Sequence, residues 1–194
     1  LGLLGLLGIA AIRWGLPADR RHGGKAMTAV DLITAWGQLA QSRAARAVLA
    51  LGFLVSMAND ALFVIIGAWL EIRFNLSVAA IGFGTIVIGL SELCGEFLTV
   101  AVADRIGKRR AILLGLALGT VAYGVLPLMD RTLGLALGGL FALFLVVEFT
   151  IVTTFSLATE VMPDRRATMM AGLLAAAGLG RMVGALTGGW LWVT

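Results

Sequence analysis

Five long apolar runs constrain this chain more than anything else in it: residues 47–70, 78–103, 111–129, 133–158 and 168–193. Crossing the roughly 30 Å hydrocarbon core of a bilayer takes about 20 helical residues, and each run supplies that length. Their apolar residues follow one another without a 3.6-residue stripe, so a helix built from any of them is apolar all round. A sequence that is 60% hydrophobic and 13% charged has too little polar surface to cover five such helices in water. The chain therefore reads as an all-α membrane protein, a bundle of transmembrane helices.

A sixth apolar run, residues 1–14, is short for a span. It opens without a methionine and lacks the basic leader of a signal peptide. It reads as the end of a truncated transmembrane helix, and the whole chain as a fragment. The net charge of +4 does not indicate nucleic acid, because of where the cations lie. Arg13, Arg20, Arg21, Lys25, Arg43 and Arg46 fall before the run at 47–70. Arg105, Lys108, Arg109 and Arg110 follow two spans later, and Arg165 and Arg166 two spans after that. In an alternating topology all of these face one side, which the positive-inside bias makes the cytoplasm. Trp14 and Trp36 then fall near the inner interface, and Trp69, Trp190 and Trp192 near the outer one, where indole is favoured.

Residues 15–46 form a cytoplasmic connector. Gly23 and Gly24 mark a flexible first part, whereas Met27, Val30, Ile33, Trp36 and Leu39 recur every three residues. That period predicts an amphipathic helix lying on the inner membrane surface, or else an extended start to the next span. All later connections are short, so neighbouring spans must pack antiparallel. Gly180, Gly184 and Gly188 make a ridge at four-residue spacing, and Gly115 with Gly119 a shorter one, which lets helix backbones approach closely in lipid.

Asp60, Glu92, Glu96, Glu148 and Arg181 all lie inside apolar runs. A charge at the bilayer centre costs about 2.5–3.5 kcal/mol even on the mildest scale, so such residues are expected to face a bundle interior or a watery cavity. Asp60, Glu92, Glu148 and Arg181 sit near the middles of four different runs and predict a single mid-membrane layer, the level at which transporters hold substrates and ions. Glu92 and Glu96 are four apart, share a helix face and could pass a proton along it. Four carboxylates against one arginine cannot all ionise cheaply, which is the physical requirement for proton coupling. Arg181 is equally readable as the partner of one carboxylate, holding two helices in register. Phe53, Asp60 and Phe63 share a helix face, as do Phe141, Phe144, Glu148 and Phe155. That arrangement suits either a cationic, amphiphilic substrate or plain packing.

The segment Asp104-Arg105-Ile106-Gly107-Lys108-Arg109-Arg110 carries four cations in six residues around a glycine. It resembles the cytoplasmic loop signature of the major facilitator superfamily, approximately G-x-x-x-D-R-x-G-R-R-R. Val100 stands where the signature has its leading glycine, as in a degenerate second copy. Glu160, Asp164, Arg165 and Arg166, ahead of the glycine-rich last run, are similar to that family's loop between helices ten and eleven. The resemblance implies that the chain runs from the end of helix six to helix eleven, within the C-terminal six-helix half of the fold. It further implies a missing N-terminal half and alternating access, with Asp104–Arg110 gating the inner face.

The expected function is secondary active transport of a small molecule, proton-coupled, with efflux by antiport preferred over symport. The expected partners are the lipid bilayer, the small-molecule substrate, protons and the missing half, and the expected location is a bacterial inner membrane. A rival reading is an assembly subunit whose acids bind partner helices; it would carry them on the outside of the bundle. With one histidine, His22, and one cysteine, Cys94, far apart, no metal site, cofactor or enzymatic chemistry is expected.

Overall fold

The computed structural model describes residues 13–15 and 29–193, and among them there are helices and short connections with no strand. Contacts divide the chain into two units, Leu1–Ile33 and Thr34–Thr194. In the first, residues 13–15 and 29–33 are helical; most of the short apolar run and the glycine-containing part of the connector lie outside the described residues. The second unit holds the bundle.

Six helices are described: α1 (Ala29–Gln41), α2 (Arg43–Phe74), α3 (Val78–Leu98), α4 (Lys108–Val125), α5 (Leu133–Val161) and α6 (Arg166–Val193). Five segments, α2 to α6 with their terminal turns, are long and apolar enough to span a membrane. The protein is an integral, multi-pass membrane protein. Each expected span is present, but α2 starts four residues before its apolar run. Ser42 sets that start, its Oγ accepting from the Ala45 N–H at 3.2 Å. Ser77 and Thr132 cap α3 and α5 in the same way. α3 and α5 start where their apolar runs do, so only at α2 does a side-chain cap carry the helix ahead of the apolar run.

Two departures from a regular helix shape the C-terminal end of α3. A π-turn, Thr99–Ala103, extends the helix into a last helical turn, Asp104–Ile106. The Thr99 hydroxyl lies within hydrogen-bonding reach of two carbonyls, Gly95 O at 3.0 Å and Phe149 O at 3.4 Å, which ties the widened turn to α5. Gly107 then turns the chain with φ at 87°, a conformation glycine adopts freely, and α4 begins at once.

α5 is the hub. Leu140, Leu143, Phe144 and Val147 form the main apolar cluster with Ile66 and Leu70 of α2 and Ile88 of α3. Gly115 of α4 lies against Thr150, and Gly95 of α3 against the α5 backbone, where an added Cβ would stand 2.8 Å from Leu145 O. The glycine ridge of α6 is the closest contact of all. A Cβ on Gly180, Gly184 or Gly188 would overlap the carbonyl oxygen of Phe53, Met57 or Ala61 respectively. The interior is thus packed backbone to backbone, as expected where lipid supplies no hydrophobic drive. Other large apolar side chains point outward; Val100 is 81% exposed and Phe83 74%.

The last part of the connector helix, from Thr34 on, packs within the second unit. Ala35 and Leu39 of α1 are buried, and Leu39 clusters with Val48 of α2, Ala158 of α5, and Met169 and Leu173 of α6. Leu39, Leu49 and Trp36 crowd Gly172. Of the residues that recur every three positions, Leu39 is buried and Trp36 is 45% exposed, while Met27 and the side chains of Val30 and Ile33 lie outside the described residues.

Candidate functional site

The five ionisable residues inside the spans are placed by α2, α3, α5 and α6. Arg181 reaches across the glycine ridge to Asp60, Nε to Oδ2 at 3.2 Å. The pair is asymmetric: the Asp60 side chain is 15% exposed and that of Arg181 67%. Gly180 and Gly184 bring the two backbones close enough for the link. Of the two roles open to Arg181, the structure thus shows the ion pair and names its partner.

Glu148 belongs to a different set. It emerges from α5 beside Gly95 of α3, whose added Cβ would lie 2.9 Å from the Glu148 Cβ. Glu92 and Glu96 flank that glycine and interact electrostatically with Glu148. Glu92 and Glu148 are partly buried and Glu96 is exposed. No cation pairs with any of the three among the described residues. The single layer expected from sequence therefore resolves into an ion pair, Asp60–Arg181, and a group of three carboxylates.

The five were expected to face the bundle interior or a watery cavity; Asp60, Glu92 and Glu148 are partly buried, and Glu96 and Arg181 are exposed. Glycine, threonine and apolar side chains, Phe144 among them, fill the core between the helices. A helix turns 100° per residue, so the α5 rows facing α2 (Phe144, Val147) and α3 (Leu145, Phe149) leave Glu148 between them. By the same geometry Asp60 leaves α2 between its α6-facing row (Phe53, Met57) and its α5-facing row (Ile66, Leu70). Both emerge on one face of the unit, opposite the groove lined by Leu54, Ala58, Gly119 and Tyr123. Glu92, Glu96 and Arg181 extend that face.

The aromatic rows behave differently from the acids. Phe144 is buried in the core and meets Phe63, 51% exposed, edge to face with centroids 6.2 Å apart. Sequence reasoning passed over Asn59 and Tyr123, whose buried Asn59 Oδ1 and Tyr123 Oη have no hydrogen-bond partner among the described residues. Asn59 stands directly before Asp60, and that adjacency was the one signal available for it. Tyr123 lines the opposite groove.

Where α3 gives way to α4, Lys108 links two loops. Its ammonium pairs with Glu160 at the end of α5 and, at 3.7 Å, with Asp104 at the end of α3. Its side chain is 18% exposed, against 79% for Asp104. Asp164 and Arg165 lie in the 3₁₀ turn Pro163–Arg165 and Arg166 opens α6; none of these three forms an ion pair among the described residues. The two loops singled out in the sequence therefore meet through one lysine.

The family model described as the Major Facilitator Superfamily matches residues 48–193, most of the chain. The chain belongs to the major facilitator superfamily. A similar protein is the uncharacterised MFS-type transporter YceJ of Bacillus subtilis (strain 168), 27% identical over 140 residues, which cover 72% of this chain and 36% of that protein. The chain thus spans about a third of the length of the relative it matches. No solved structure matches it. Membership agrees with the resemblance carried by the Asp104–Arg110 segment, and it accounts for a helical bundle with one polar face.

Proposed function

We propose that this chain forms part of a proton-coupled secondary transporter for a small molecule, working by alternating access in a bacterial inner membrane, with export in exchange for protons as the preferred direction. The observation that carries this reading is the common face of Asp60, Arg181, Glu92, Glu96 and Glu148. Scattered acids would serve helix packing, whereas acids gathered on one side serve a pathway. Glu148, with two carboxylates near it and no cation, is the proton carrier of this reading, because clustered carboxylates exchange protons as a group. Asp60, held by Arg181, is the group whose release from the pair would follow substrate binding. The acids also suit the assembly-subunit reading in one respect, since they lie on an open face of this unit. Family membership favours a pathway shared with the remainder of the protein.

The test is transport by the full-length protein in proteoliposomes with an imposed pH gradient. Glu148→Gln and Asp60→Asn should each reduce proton-driven flux at least tenfold while substrate exchange without a gradient persists. Full gradient-driven flux in both variants would remove these acids from the mechanism.

Lys108 and Glu160 supply the cytoplasmic gate of the same reading. Parting Lys108 from Glu160 would free the end of α3 from the end of α5. Glu160→Lys should bias the protein toward its inward-open form, seen as faster alkylation of cysteines placed on the cytoplasmic side of α5. The double exchange Lys108→Glu/Glu160→Lys should restore the slower rate.

A further inference from the structure

Lys108 draws on both acids beside it, Asp104 and Glu160. Arg105, Arg109 and Arg110 line the same open cavity, about 690 Å³ between the cytoplasmic ends of α3, α4 and α5. All three are exposed and form no ion pair among the described residues. The segment therefore presents three uncompensated guanidinium groups at one point of the surface, more than a gate built on Lys108 uses.

What lies next to them is apolar and uncovered. On α4, Leu114 and Leu118 follow Arg110 at four-residue spacing and are 53% and 57% exposed. They stand on the side turned away from the α5 contact at Gly115 and Gly119. On α3, Phe97 and Val100, 69% and 81% exposed, point away from the Gly95 contact one turn before Arg105. Two outward apolar stripes thus descend to one basic cluster. A soluble anion would use the guanidinium groups and ignore the stripes. A molecule with an anionic head and two long apolar chains uses both.

We propose that Arg105, Arg109 and Arg110 seat the headgroup of an anionic phospholipid, whose acyl chains lie along the outward faces of α3 and α4. Guanidinium is suited to the role because its fork of N–H donors matches two phosphate oxygens at once. The site lies on the lipid-facing side, and it stands whether or not the acids carry protons during transport.

Native mass spectrometry of the full-length protein, with phosphatidylglycerol and phosphatidylcholine of identical chains, tests the proposal. Phosphatidylglycerol should bind more tightly, and each arginine exchanged for glutamine should weaken it about fivefold, the effect of one cation at a lipid surface. Arg105→Gln/Arg109→Gln/Arg110→Gln should bind both lipids alike, whereas the triple lysine variant should keep most of the preference. Inorganic phosphate should not displace the lipid at equal concentration. An unchanged preference in the triple glutamine variant overturns the proposal, as does displacement by phosphate, which would mark a soluble-anion site. If the triple variant does not fold, Arg110→Gln alone decides, since a preference unaltered by it and by high salt has the same overturning force.

Discussion

Gly184→Leu is expected to abolish assembly of the folded protein, and Gly184→Ala to lower its stability in detergent by about 1–3 kcal/mol, the range for overpacking a tight contact. The midpoint of the ridge has no slack. An added Cβ would overlap Met57 O and lie 3.0 Å from the Met57 carbonyl carbon and Cα, all of them backbone atoms that no rotamer change can move aside. α2 and α6 would have to separate along their length, loosening the contacts at Gly180 and Gly188 and lengthening the Asp60–Arg181 pair. The control is Gly178→Ala on the same helix, where an added Cβ meets nothing within 4 Å. There alanine should be neutral or stabilising by up to about 1 kcal/mol, the difference in helix propensity. Thermal unfolding followed by size-exclusion chromatography measures both. Equal melting temperatures for the two alanine variants would show that the ridge is not a tight contact.

The second large effect concerns the pair that the ridge brings together. Arg181→Gln leaves the Asp60 carboxylate, 15% exposed, without its cation. Leaving a buried polar group unsatisfied costs about 1–3 kcal/mol, and the carboxylate can avoid part of that cost by taking a proton. Stability should therefore fall, and on the proposed mechanism gradient-driven flux should fall at least tenfold, because Asp60 would have no partner from which substrate binding could release it. Asp60→Asn/Arg181→Gln removes both charges. It should recover most of the stability and none of the flux, which separates a mechanistic pair from a purely structural one. Recovery of transport in the double variant would assign the pair to helix register alone.

The run lengths made the membrane class and the five spans legible, since burying or solvating 20 apolar residues leaves few alternatives. Helix ends were less so: Ser42 extends α2 through a single hydroxyl, which a hydropathy window averages away. The π-turn at Thr99–Ala103 had no signal at all, because it depends on what Thr99 meets on α5. The ridge of Gly180, Gly184 and Gly188 could be read as a close contact, yet nothing in it named α2 as the partner.

The carboxylates divide in the same way. From residue order alone it follows that Asp60, Glu92, Glu96, Glu148 and Arg181 lie within spans and must be accommodated there, because charge is costly in hydrocarbon whatever the fold. The packing of the helices was needed to give Arg181 to Asp60, to gather the three glutamates round Gly95, and to put both sets on an open face. Partner choice depends on which helix backbones come together. In this protein that is settled by where glycines let them touch, information that lies in pairs of distant residues and not in any one run.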